Sequence, residues 1–207
     1  MYRLFSRVHR IKQMSDIFRS YASRAGSDII SRYKAKSALD RLGLISDLIN
    51  FNENLNSIIS NYLEDNYLFY EASKDVRIQK KKFRKKIYPY TLLCPIFQAL
   101  SAIVNDPIRI QNSPLVYQVS ELLSYYYDHV IRSSKLDDNE IDVLAGKIVR
   151  LFSHVSDKDT FQEFYRRSLA KRLVVFPKTN IDAEKIFITK LKVFIYVTPI
   201  NNPPIKN

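Results

Sequence analysis

Residues 115–132 read LVYQVSELLSYYYDHVIR. Within them Leu115/Val116, Val119, Leu122/Leu123, Tyr126/Tyr127 and Val130/Ile131 recur at three, four and seven residues. On a helix turning once in about 3.6 residues, that spacing gathers them on a single face. A stripe kept over more than four turns predicts an amphipathic helix with one buried side. Of the adjacent Tyr125, Tyr126 and Tyr127, two fall on the stripe, so core packing accounts for them better than a base-stacking surface does.

Downstream the same logic repeats. Asp137-Asp138-Asn139-Glu140 places an N-cap candidate three residues before a Glu, close to a capping box, and Leu144, Ile148, Leu151/Phe152 and Val155 follow. The carboxylates of Asp137, Asp138, Glu140 and Asp142 surround a helix start, where negative charge complements the helix dipole. Ser156 with Asp159 gives a second start signal, and Phe161, Phe164/Tyr165, Leu169 and Leu173 form the expected inner face, closed by Val174-Val175-Phe176-Pro177. Phe161, Phe164, Leu169 and Leu173 are therefore the expected core residues. Thr179-Asn180-Ile181-Asp182 opens a last short helix carrying Ile186 and Leu191, and the tail VFIYVTPINNPPIKN shows neither period.

Upstream, prolines set the boundaries. None occurs in residues 1–88 or 115–176, and the eight fall at 89, 95, 107, 114, 177, 199, 203 and 204. Because proline breaks helix interiors, the proline-free stretches are where long helices fit. Leu4, Val8, Ile11, Phe18, Tyr21 and Ala25 predict one, with Gly26 as its stop. Leu44/Ile45, Leu48/Ile49, Leu55, Ile58/Ile59 and Tyr62/Leu63 predict a second, ending near Asn66. The expectation is an all-α fold of stacked helices followed by the start of a helical bundle. It divides into helices over 1–76, a basic, proline-containing insertion over 77–112, a bundle segment over 113–192 and an irregular tail over 193–207.

Composition excludes several chemistries. The 207 residues carry a formal charge of +12, and 46% are apolar, ample for a core. Three glycines (Gly26, Gly43, Gly146) are too few and too scattered for a phosphate-cradling loop of either common type. The lone Cys94 and the dispersed His9, His129 and His154 write neither a disulfide nor a zinc site. In its apolar, proline-flanked setting Cys94 reads as an inert thiol. Ser153, His154 and Asp157 are neighbours in the chain, but a catalytic triad is defined by geometry, and capping is the stronger reading. No catalytic, cofactor-binding or metal-binding residue is expected, no cofactor and no small-molecule substrate. The charged amino terminus has no apolar signal region, and the uncharged stretch 87–105 is interrupted by prolines and polar side chains. A cytoplasmic or nuclear protein is the expectation.

Arg77 to Lys86, RIQKKKFRKK, holds seven basic residues in ten. Such a cluster could bind nucleic acid or an anionic membrane, with Lys80, Lys81, Lys82, Lys85 and Lys86 as its main cations. A solvated linker between two helical blocks weighs more, since the cluster lacks aromatic platforms.

One run is more specific than any of these. Asp157 to Leu173, DKDTFQEFYRRSLAKRL, together with the opening MYRLFSRV, resembles the cullins, the elongated scaffold subunits of multisubunit ubiquitin ligases. The family pattern is a D-K-D-x-F helix start, an aromatic pair and an L-A-[KR]-R-L ending. Asp157, Lys158, Asp159, Phe161, Phe164, Tyr165, Leu169, Ala170, Lys171, Arg172 and Leu173 match it. Ser120 to Leu123, Leu136-Asp137-Asp138 and Ile148 to Leu151 extend the likeness upstream, which is nearest the plant cullins of the F-box class. The resemblance covers a last amino-terminal cullin repeat and the start of the cullin homology region; residues 77–112 and the tail after Lys192 fall outside it. It implies a truncated, non-catalytic scaffold fragment associated with cullin-RING ubiquitin ligases, inactive if the copy has decayed. Its adaptor-docking repeat, RING-docking sheet and modifier-accepting lysine are expected to be absent, and Lys190, Lys192 and Lys206 are not expected to replace that lysine.

Overall fold

The computed structural model describes residues 11–35, 40–62, 95–109, 114–133, 136–175 and 181–197. In chain order these form α1 (Ile11–Lys34), α2 (Arg41–Tyr62), α3 (Pro95–Val104), β1 (Ile108–Arg109), β2 (Val116–Tyr117), α4 (Val119–Ser133), α5 (Asp138–Phe152), α6 (Lys158–Val175) and α7 (Ile181–Val197). The fold is all-α, with one antiparallel pair of two-residue strands that sets Ile108 opposite Tyr117 and Arg109 opposite Val116.

Packing runs in a chain of neighbours. Helix α1 lies against α3 and α2, α2 continues onto α4 and α5, α4 packs on α6, and α5 packs on α7. A single apolar core threads through all of them, from Ala22 and Ile30 on α1 to Phe187 and Leu191 on α7. Each helix alone buries only one stripe, so successive stacking is what removes those stripes from water.

The decisive stripe is built as expected: Val119, Leu122, Leu123 and Tyr127 are buried, Tyr126 packs against the core, and Tyr125 faces outward. The helix itself starts at Val119, because Val116 and Tyr117 pair with β1 and leave Leu115 and Val116 exposed. Asp137 caps α5 in a full capping box. Its carboxylate accepts from the Glu140 N–H at 2.7 Å while the Glu140 carboxylate accepts from the Asp137 N–H at 3.0 Å. Asp137→Ala is expected to cost about 1 kcal/mol, read as a shift in the urea midpoint with unchanged slope.

Several expectations are corrected. Helix α1 does not stop at Gly26; it continues to Lys34, with Ile29, Ile30 and Tyr33 buried and Tyr21 exposed. The glycine serves close approach: a Cβ there would stand 2.4 Å from the Ile103 Cδ1 and 3.2 Å from the Phe51 Cε1. Gly26→Val therefore makes the Ile103 and Phe51 side chains give way, an overpacking cost of about 1–3 kcal/mol that thermal unfolding would register. Gly26→Ser, being smaller, should cost less.

Within the stretch expected to be an irregular insertion, Pro95 to Val104 is a helix whose Ala99, Leu100, Ile103 and Val104 enter the core. Pro95 stands at the first helical position, where its missing N–H costs nothing. The last helix also runs on through Val193 to Val197, in what was expected to be irregular tail. Residues 1–10, 63–94 and 198–207, with the expected stripe residues Leu4 and Val8 and the expected helix end near Asn66, lie outside the described residues.

Candidate functional site

The run from Asp157 to Leu173 forms the amino cap and body of α6, and its residue types are explained by what each touches. Asp157, not Ser156, is the cap: its carboxylate accepts from the Thr160 N–H at 3.0 Å and from the Thr160 hydroxyl at 2.6 Å. Those bonds hold the Asp157 carboxyl below its usual range. Lys158 lays its ammonium 5.7 Å from the centre of the Phe152 ring, and burial lowers its pKa. Phe161 meets Phe152 at 4.6 Å between centroids and Tyr165 at 6.0 Å.

The carboxyl half of α6 departs from the expected inner face. Phe161 is buried, Phe164 and Leu169 are half-buried, but Leu173 is 51% exposed while its neighbour Arg172 is only 1% exposed. Arg172 is the centre of a buried polar cluster that joins three helices. Its Nε donates to the Glu184 Oε1 on α7 at 2.7 Å, and its Nη1 donates to the Asp128 Oδ1 on α4. Arg132 pairs with the second oxygen of Asp128 at 2.7 Å, so two guanidinium groups balance two carboxylates. The second oxygen of Glu184 accepts from the Tyr165 hydroxyl at 2.9 Å and from the Tyr127 hydroxyl at 3.4 Å. Tyr127 in turn stacks on Phe187 at 3.9 Å. The guanidinium lies 5.5 Å from the Tyr127 ring centre and 5.9 Å from that of Tyr165.

Burial opposes the Arg172 charge, but the Glu184 and Asp128 carboxylates outweigh it and raise its pKa. Burial, reinforced by Glu184, pushes both tyrosine hydroxyls far up. Phenols held this firmly in their protonated form are donors to Glu184, not acids or nucleophiles. The cluster's chemistry is that of a fastener between α4, α6 and α7.

Two lesser fasteners follow the same design. Arg150 on α5 grips Glu53 on α2 through two parallel bonds of 2.7 and 2.8 Å, and Lys190 on α7 reaches Asp142 on α5 at 2.9 Å. At the α5–α6 turn, Asn105 donates to the His154 carbonyl at 2.9 Å and accepts from the Ser156 N–H at 2.7 Å. The adjacent Ser101 hydroxyl donates to the same carbonyl at 3.2 Å.

Ser153, His154 and Asp157 are not brought together as a relay. The Ser153 hydroxyl donates to the Arg150 carbonyl at 2.6 Å, Asp157 is engaged by Thr160, and the His154 ring is buried against Phe97 at 4.8 Å between centroids. Asp137, Asp138 and Glu140 sit at the α5 start as expected. His129 lies one turn from the Ser133 hydroxyl at 3.4 Å. Cys94, His9 and the basic run 77–86 lie outside the described residues. Among the described residues no group of three or more His, Cys, Asp or Glu is placed to hold a metal ion, and no helix is long and apolar enough to cross a membrane. The residues that periodicity missed are Arg172 and Glu184, and the signal available was Arg172's place inside the L-A-K-R-L ending.

The family model of the cullin alpha solenoid domain matches residues 1–195, a span that takes in 77–112, where the motif likeness found no counterpart. Cullin-1 of Oryza sativa subsp. japonica is 27% identical over 207 residues, covering 93% of this chain and 24% of its own length. Cullin-4 of Dictyostelium discoideum is 27% identical over 194 residues, covering 93% and 20%. Cullin-4A of Homo sapiens is 28% identical over 196 residues, covering 93% and 21%. The chain thus spans between a fifth and a quarter of the length of these relatives.

Proposed function

Because the chain belongs to the cullin family, we propose that it acts as a non-catalytic scaffold segment in cullin-RING ubiquitin ligases, working in the cytoplasm or nucleus. The observation that carries this reading is the solenoid match over residues 1–195, on a chain whose helices share one core. A scaffold does its work by geometry: holding two partners at a fixed separation raises their effective concentration without any reacting group of its own. Stiffness is what such a segment must supply. The buried Arg172 cluster that joins α4, α6 and α7, with the Arg150–Glu53 pair between α5 and α2, supports this reading by tying helices to one another.

Affinity capture of the tagged chain from cells tests the proposal. Recovery of ubiquitin-ligase subunits is the expected result. Their absence from the captured material, with the chain shown by circular dichroism to be folded, would overturn it. The same capture repeated with a variant lacking the Glu53–Arg150 pair separates a need for the intact stack from a need for surface residues alone.

A further inference from the structure

We draw no further inference here: the strongest candidate, the exposed apolar patch of Leu173, Val174 and Val175 at the end of α6 with Ile181 at the start of α7, carries none because nothing in the structure shows what covers it.

Discussion

Arg172→Met is expected to destabilise the chain by about 3–5 kcal/mol, a large share of the roughly 5–15 kcal/mol that holds a typical domain folded. The methionine replaces most of the volume, so the loss is electrostatic. Asp128 keeps Arg132 as a partner at 2.7 Å, but Glu184, buried and bonded to the Tyr127 and Tyr165 hydroxyls, loses the one cation it pairs with among the described residues. A carboxylate stranded in an apolar surrounding costs several kcal/mol. Adding Glu184→Gln to the same chain removes that stranded charge while keeping an oxygen for the two tyrosine hydroxyls. The double variant should therefore be more stable than Arg172→Met alone, with a coupling energy of about 1–3 kcal/mol in a double-mutant cycle read by urea unfolding. A loss below about 1 kcal/mol for Arg172→Met, or purely additive effects, would show that the cluster does not fasten α4, α6 and α7.

That cluster also marks how far periodicity can read this chain. The stripe on α4 was legible because its inner positions are occupied by apolar and aromatic residues, and the capping box on α5 was legible because its chemistry is local in sequence. Helix α6 was legible as a helix but misphased at its end. A rule that assigns apolar residues to the core places Leu173 inward, whereas the inward position belongs to Arg172, whose charge is neutralised by residues 44 and 12 positions away along the chain. No local pattern contains that information, since it depends on which helices become neighbours. The motif likeness did contain it, because the family pattern specifies an arginine at that position without giving the reason.

Helix α3 failed to register for a different cause. Its ten residues are short, and flanking prolines read as breakers, although Pro95 at a first helical position starts a helix as readily as it ends one. Gly26 misled in the same way: a glycine reads as a helix stop, and only the approach of Ile103 shows that it is a packing notch. In both cases the identity of the residue was informative, and its role was set by a segment roughly 77 positions distant or by a position within the helix that sequence alone does not number.

Acidification should expose the second large effect, centred on His154. The ring is 1% exposed, against Phe97 and near the Lys158 ammonium. Burial first, and then repulsion from Lys158, lower its pKa from 6.5 to about 3, with the Phe97 backbone acting in the opposite sense. The unfolded chain therefore binds a proton near pH 6.5 that the folded chain refuses until about pH 3. Stability contributed by the neutral ring is present in full above pH 6.5 and is lost progressively as the pH falls toward 3, because over that interval the unfolded chain carries the proton and the folded ring does not. Asp157, whose own carboxyl is held low by Thr160, adds a further loss at the acid end of the range. His154→Gln removes the imidazole and with it the titration. The variant should start less stable at pH 7.5, because it disturbs packing against Phe97, yet lose less stability than the parent between pH 6.5 and pH 4.5. Urea unfolding at half-unit pH intervals measures both slopes. Parallel curves for parent and variant across that interval would mean that His154 takes up its proton without leaving the core, and the assignment of the acid sensitivity to this turn would fall.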